Sequence, residues 1–137
     1  MSITSANATT APATTTNLIV GGVTAAAVAA VATVGVATAG SLAGISLDIG
    51  GAPIPLAGFA TLTVVFSLLG LGLALLLART NRRPRVVFVR TTMALTALSL
   101  VPDLLVDGAV ATKVLLMVTH LVAAAIVVPV IARRLRA

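Results

Sequence analysis

Four apolar runs, separated by short polar breaks, divide the chain. They cover about residues 18–40, 56–78, 86–106 and 110–132. Each is about 20 residues long with few or no charges, the length needed to cross a hydrocarbon core of about 30 Å. The roughly ten-residue alternating segments of a transmembrane β-barrel are absent. The pattern predicts an all-α fold, a four-helix transmembrane bundle over residues 18–137.

The breaks differ in chemistry. Residues 1–17 are polar, uncharged and rich in Thr and Ala, without a hydrophobic period, and read as a disordered tail. The tail has no basic segment ahead of the first apolar run, so signal-peptide cleavage at the Ala37-Thr38-Ala39 tripeptide is not expected. Residues 41–55 carry Gly50-Gly51 with Pro53 and Pro55, which break regular structure. Pro84 sets the turn between the second and third runs, and Asp107-Gly108 marks the turn before the fourth.

Composition agrees with the pattern. The chain has 137 residues, is 59% hydrophobic and has a mean hydropathy of +1.19. A soluble domain of this length cannot hide that much apolar surface. Cysteine is absent, which excludes disulfides, thiolate metal sites and cysteine nucleophiles.

The formal net charge is +6. Its distribution points to topology, not to nucleic acid. Arg79, Arg82, Arg83, Arg85 and Arg90 surround the second break, and Arg133, Arg134 and Arg136 follow the last run. Basic residues flank spans on the cytoplasmic side, so both termini are expected in the cytoplasm and the two other loops outside a plasma membrane. Arg79, Arg82, Arg83, Arg85, Arg133, Arg134 and Arg136 are also candidate contacts for anionic lipid.

The first run is weakly hydrophobic and dominated by small residues. Gly21, Ala25, Ala29, Thr33 and Ala37 recur at every fourth position and form a smooth ridge. In lipid, close backbone approach along small residues drives helix packing, so this span is expected against protein. A composition merely rich in Ala would give the same ridge.

Polar residues inside the spans supply a candidate site. Thr92, Thr96, Ser99 and Asp103 fall on one face of the third helix, and His120 lies about 15 Å into the fourth. A hydrogen bond from His120 to Thr96 or Ser99 would join the two helices, with Asp103 nearer the surface. Intramembrane ionisable groups are costly and call for a functional reading, although a neutral imidazole that only glues two helices fits the same residues. Lys113 shares a helix face with Met117 and His120 and is placed to pair with Asp103 or Asp107.

Several chemistries find no residues. One His and three scattered Asp make no metal cluster. Neither a phosphate-binding glycine loop nor a G-x-S-x-G element occurs. The first run lacks the carboxylate on which four-span multidrug exporters depend. No enzymatic activity and no cofactor are expected.

Pro55-Leu56-Ala57-Gly58, Arg82-Arg83-Pro84-Arg85, the run from Leu95 to Pro102, Thr119-His120-Leu121-Val122 and the run from Val128 to Leu135 together resemble a family of small actinobacterial membrane proteins of unknown function with four spans. The resemblance covers residues 18–137 and implies the same architecture in a bacterial cell membrane, with no activity attached. Three functions stay open. One is an interaction or accessory subunit of a membrane assembly or homo-oligomer. Another is a transporter or channel component using the polar stripe, and the third is an anionic-lipid binder.

Overall fold

A computed structural model of the chain describes residues 15–137. It contains four long helices and one small hairpin: α1 (Thr15–Leu42), β1 (Asp48–Ile49), β2 (Ala52–Pro53), α2 (Leu56–Thr80), α3 (Pro84–Leu105) and α4 (Val110–Ala132). All four helices are long and apolar enough to cross a membrane. Nothing else suits these sequences in lipid, because a helix satisfies its own backbone polar groups where water cannot. The structure is that of a small multi-pass membrane protein.

The helix ends depart slightly from the expected spans. α1 begins at Thr15, so Thr15, Thr16 and Asn17 are helical and not part of a tail. The rest of that tail, residues 1–14, lies outside the described residues. Pro84 opens α3 at its first position, where a missing N–H costs nothing, and its ring is buried.

α1 is the helix around which the others gather. It packs against α2 and α4, while α3 closes the bundle against α4 and α2. Gly21, Ala25, Ala29, Thr33 and Ala37 are all buried, with Gly22, Ala26 and Ala30 in the adjacent row. Two smooth rows let two neighbours approach one charge-free helix. Among the described residues a single inter-helix hydroxyl contact crosses this packing, from Thr33 on α1 to Thr63 on α2 at 3.0 Å.

The core forms in two parts. Toward one end Phe88 and Ile131, both fully buried, pack with Leu18, Leu71 and Val127. Toward the other, Ala37, Phe59 and Leu116 meet partly buried Leu47, Ile49 and Ile54 of the α1–α2 connection.

That connection is more ordered than its Gly and Pro content suggests. β1 and β2 pair antiparallel, with Asp48 opposite Pro53 and Ile49 opposite Ala52. Gly50 and Gly51 turn the hairpin at φ 59° and 78°, the left-handed region that a tight two-residue turn demands. The hairpin is docked on the α3–α4 connection. The Gly50 N–H donates to Asp107 O at 2.7 Å. The fully buried Thr112 of α4 donates its hydroxyl to Ser46 O at 2.5 Å.

Charge is segregated along the bundle. Asp48, Asp103 and Asp107 lie toward the hairpin end of the helices, and the eight arginines lie toward the other. At the arginine end the tail is tied down: the Arg85 N–H donates to Arg136 O at 3.2 Å.

Candidate functional site

The polar stripe of α3 meets His120 of α4, but not through its hydroxyls. The His120 Nδ1 lies 2.8 Å from Asp103 Oδ2. Side-chain direction explains how residues at different depths meet. Cα–Cβ bonds lean toward the helix N-terminus, and α3 and α4 run in opposite directions. Asp103 therefore leans inward from the hairpin end while His120 leans outward toward it. The ring reaches back one turn, and Nδ1 also lies 3.1 Å from Leu116 O.

The two partners differ in exposure. The Asp103 side chain is 10% exposed and that of His120 is 40% exposed. The contact is close but not an aligned hydrogen bond, and Asp103 Oδ2 has no other partner. The carboxylate is sealed between the helices, and the imidazole forms its outer cover.

The expected bond from His120 to Thr96 or Ser99 is thus corrected: the imidazole meets Asp103, and the Thr92 and Ser99 hydroxyls are taken up within α3. Thr92, buried, donates to Phe88 O at 2.8 Å, and Ser99 donates to Thr96 O at 2.7 Å. Hydroxyls on a helix have a carbonyl one turn back within reach, and these use it. Among the described residues Lys113 pairs with neither Asp103 nor Asp107. Its ammonium donates to Leu104 O at 3.1 Å, at the C-terminal end of α3, where the helix dipole favours a cation.

The arginines separate into two kinds. Arg82, Arg83 and Arg85 are exposed around the α2–α3 turn, and Arg83 N–H donates to Asn81 Oδ1 at 3.0 Å. Arg79, Arg134 and Arg136 line an open cleft of about 260 Å³ with Leu18, Leu75 and Ala78. Arg133 and Arg134 line a neighbouring cleft of about 340 Å³ with Asn17, Val20 and Gly21. No residue of the α3 stripe lines either cleft.

Arg134 stands between the two clefts. Its Nη1 donates to Val130 O at 2.7 Å, and its guanidinium lies directly over Gly21, where any side chain would collide with it. Helix-packing residue Gly21 thus also seats a charged group, which spacing alone did not reveal. Ala25, Ala29 and Thr33 face other helices of the same chain, so the ridge is spent inside the bundle.

Comparison with known proteins adds a family and no activity. The chain belongs to a family of unknown function, DUF6069, whose model matches residues 13–137. Searches of curated proteins and of solved structures return no match.

Proposed function

We propose that the chain is a non-enzymatic interaction subunit of a larger assembly in a bacterial plasma membrane, with both termini in the cytoplasm. His120 supports this reading most directly. Its ring is 40% exposed within a helix long enough to span the bilayer, and both contacts it makes use Nδ1. Among the described residues Nε2 has no hydrogen bond. An imidazole nitrogen left without a partner inside a membrane span is costly, and a polar side chain of a neighbouring membrane protein would satisfy it. The docking face is then the α3–α4 seam and not the α1 ridge, which has no free side to offer.

Transport along the α3 stripe has less support. The Thr92 and Ser99 hydroxyls are bonded to their own helix, and neither cleft reaches the stripe.

The absence of cysteine makes the test clean. Met117→Cys, on the His120 face of α4, should cross-link to a neighbour in native membranes. Phe66→Cys, on the exposed side of α2, should not. Equal cross-linking at both positions, or none at Met117→Cys, would remove the α3–α4 seam as an interface.

A further inference from the structure

The arginine end carries no acidic side chain. All three acidic side chains of the chain lie toward the hairpin end. Among the described residues the only close acid–base pair is Asp103 with His120. A cluster of guanidiniums at a membrane surface, with no carboxylate side chain beside it, is open to anions from outside the molecule.

The cleft lined by Arg79, Arg134 and Arg136 is more than a charged surface. Its lining also includes apolar side chains, Leu18 of α1 and Leu75 and Ala78 of α2 among them. Its Arg134 is held in place, anchored to Val130 O and seated on Gly21. A guanidinium fixed before binding loses less freedom when it takes an oxyanion, and its planar fork suits phosphate. The backbone bond from Arg85 to Arg136 O likewise holds the tail against the start of α3. A positive rim, apolar lining residues and one guanidinium fixed in advance together match a phosphodiester carrying acyl chains.

We infer that this cleft binds an anionic phospholipid, with the headgroup phosphate on Arg79, Arg134 and Arg136 and an acyl chain along the partly exposed Leu75 and Ala78. The inference does not rest on the interaction-subunit reading, because the cleft and the α3–α4 seam involve different residues.

General attraction of anionic lipid to basic loops would look similar in a simple binding assay. Two double variants of equal charge separate the cases. Arg79→Gln with Arg136→Gln removes two charges from the cleft, and Arg82→Gln with Arg83→Gln removes two from the adjacent turn. All four side chains are exposed, so the fold should tolerate both. Native mass spectrometry in mild detergent would titrate each protein with phosphatidylglycerol, with phosphatidylcholine and with inorganic phosphate alone.

The expected result is retention of phosphatidylglycerol over phosphatidylcholine. The cleft variant should weaken it by roughly fivefold for each arginine removed, and the turn variant should leave it unchanged. Equal losses in the two variants would overturn the site and leave only diffuse attraction. Retention of phosphatidylcholine as strong as that of phosphatidylglycerol would overturn the charge selection. Inorganic phosphate bound as tightly as the lipid would overturn the role of the acyl wall.

Discussion

Gly22 of α1 sits directly against Leu71 of α2: a β-carbon at Gly22 would fall 2.6 Å from Leu71 Cδ1. Leu71 is buried and has little room to yield. The contact shows how α1 stays central. Its glycines are placed where a neighbour's leucine needs the space, and Gly40 meets Leu115 of α4 in the same way, at 2.8 Å.

Gly22→Ala and Gly40→Ala should therefore destabilise the bundle by about 1 to 3 kcal/mol, the usual cost of overpacking. Gly35, also in α1, has nothing within 4 Å of the added carbon. Gly35→Ala should be neutral or stabilise by up to about 1 kcal/mol, because Ala gives up less backbone freedom in a helix. Thermal unfolding in nanodiscs, followed by circular dichroism, would rank the three. Equal loss at all three positions would contradict the packing described for α1.

The Asp103–His120 contact should appear as a coupling between the two residues. A double-mutant cycle with Asp103→Asn and His120→Gln is expected to give about 0.6 kcal/mol, and no more than about 1.7, the range for polar pairs between membrane helices. Ser99→Ala on the same stripe should show no coupling to His120, because its hydroxyl bonds Thr96 O within α3. A cycle energy of zero for Asp103 and His120 would make the contact incidental.

Thr33 and Thr63 should couple in the same way across α1 and α2, since their hydroxyls lie 3.0 Å apart. Thr38→Val serves as the comparison, because Thr38 donates to Val34 O of its own helix. Stability measurements on Thr33→Val, Thr63→Val and the pair should be sub-additive, by about 0.6 kcal/mol. Strict additivity would refute a shared bond.

Thr112 and the glycine turn hold the hairpin in place. Thr112→Val leaves Ser46 O without its donor and should cost about 1 kcal/mol. Gly51→Val forces a β-branched side chain to positive φ, a conformation such residues rarely adopt. Both changes should speed protease cleavage between Ser46 and Pro55 while the helices remain intact. Unchanged cleavage in both would mean that the hairpin is held by other contacts.

The helices were legible in the sequence because a bilayer sets one length scale. Four runs of about the spanning length could be only helices, and the spacing of Gly21, Ala25, Ala29 and Thr33 marked the face of α1 that packs. The hairpin was less legible. Asp48–Ile49 and Ala52–Pro53 are too short to show alternation, so Gly50-Gly51 looked like a break when it was a turn.

Reading depth from Cα position alone placed Asp103 above His120. The opposite lean of side chains on antiparallel helices brings them to 2.8 Å. The seating of Arg134 on Gly21 had no sequence signal, because it joins residues at the two ends of the chain.

The separation of acids from arginines also makes the protein an electrical object. Eight guanidiniums lie toward one end of helices long enough to span a bilayer, and the carboxylates lie toward the other. An energised membrane acts on each elementary charge carried across it with about 2.3 kcal/mol per 100 mV. In the orientation proposed above, with the arginine end in the cytoplasm, turning the bundle over would drive every arginine against that field. The membrane voltage would then act as a lock on orientation, one that tightens whenever the cell is energised.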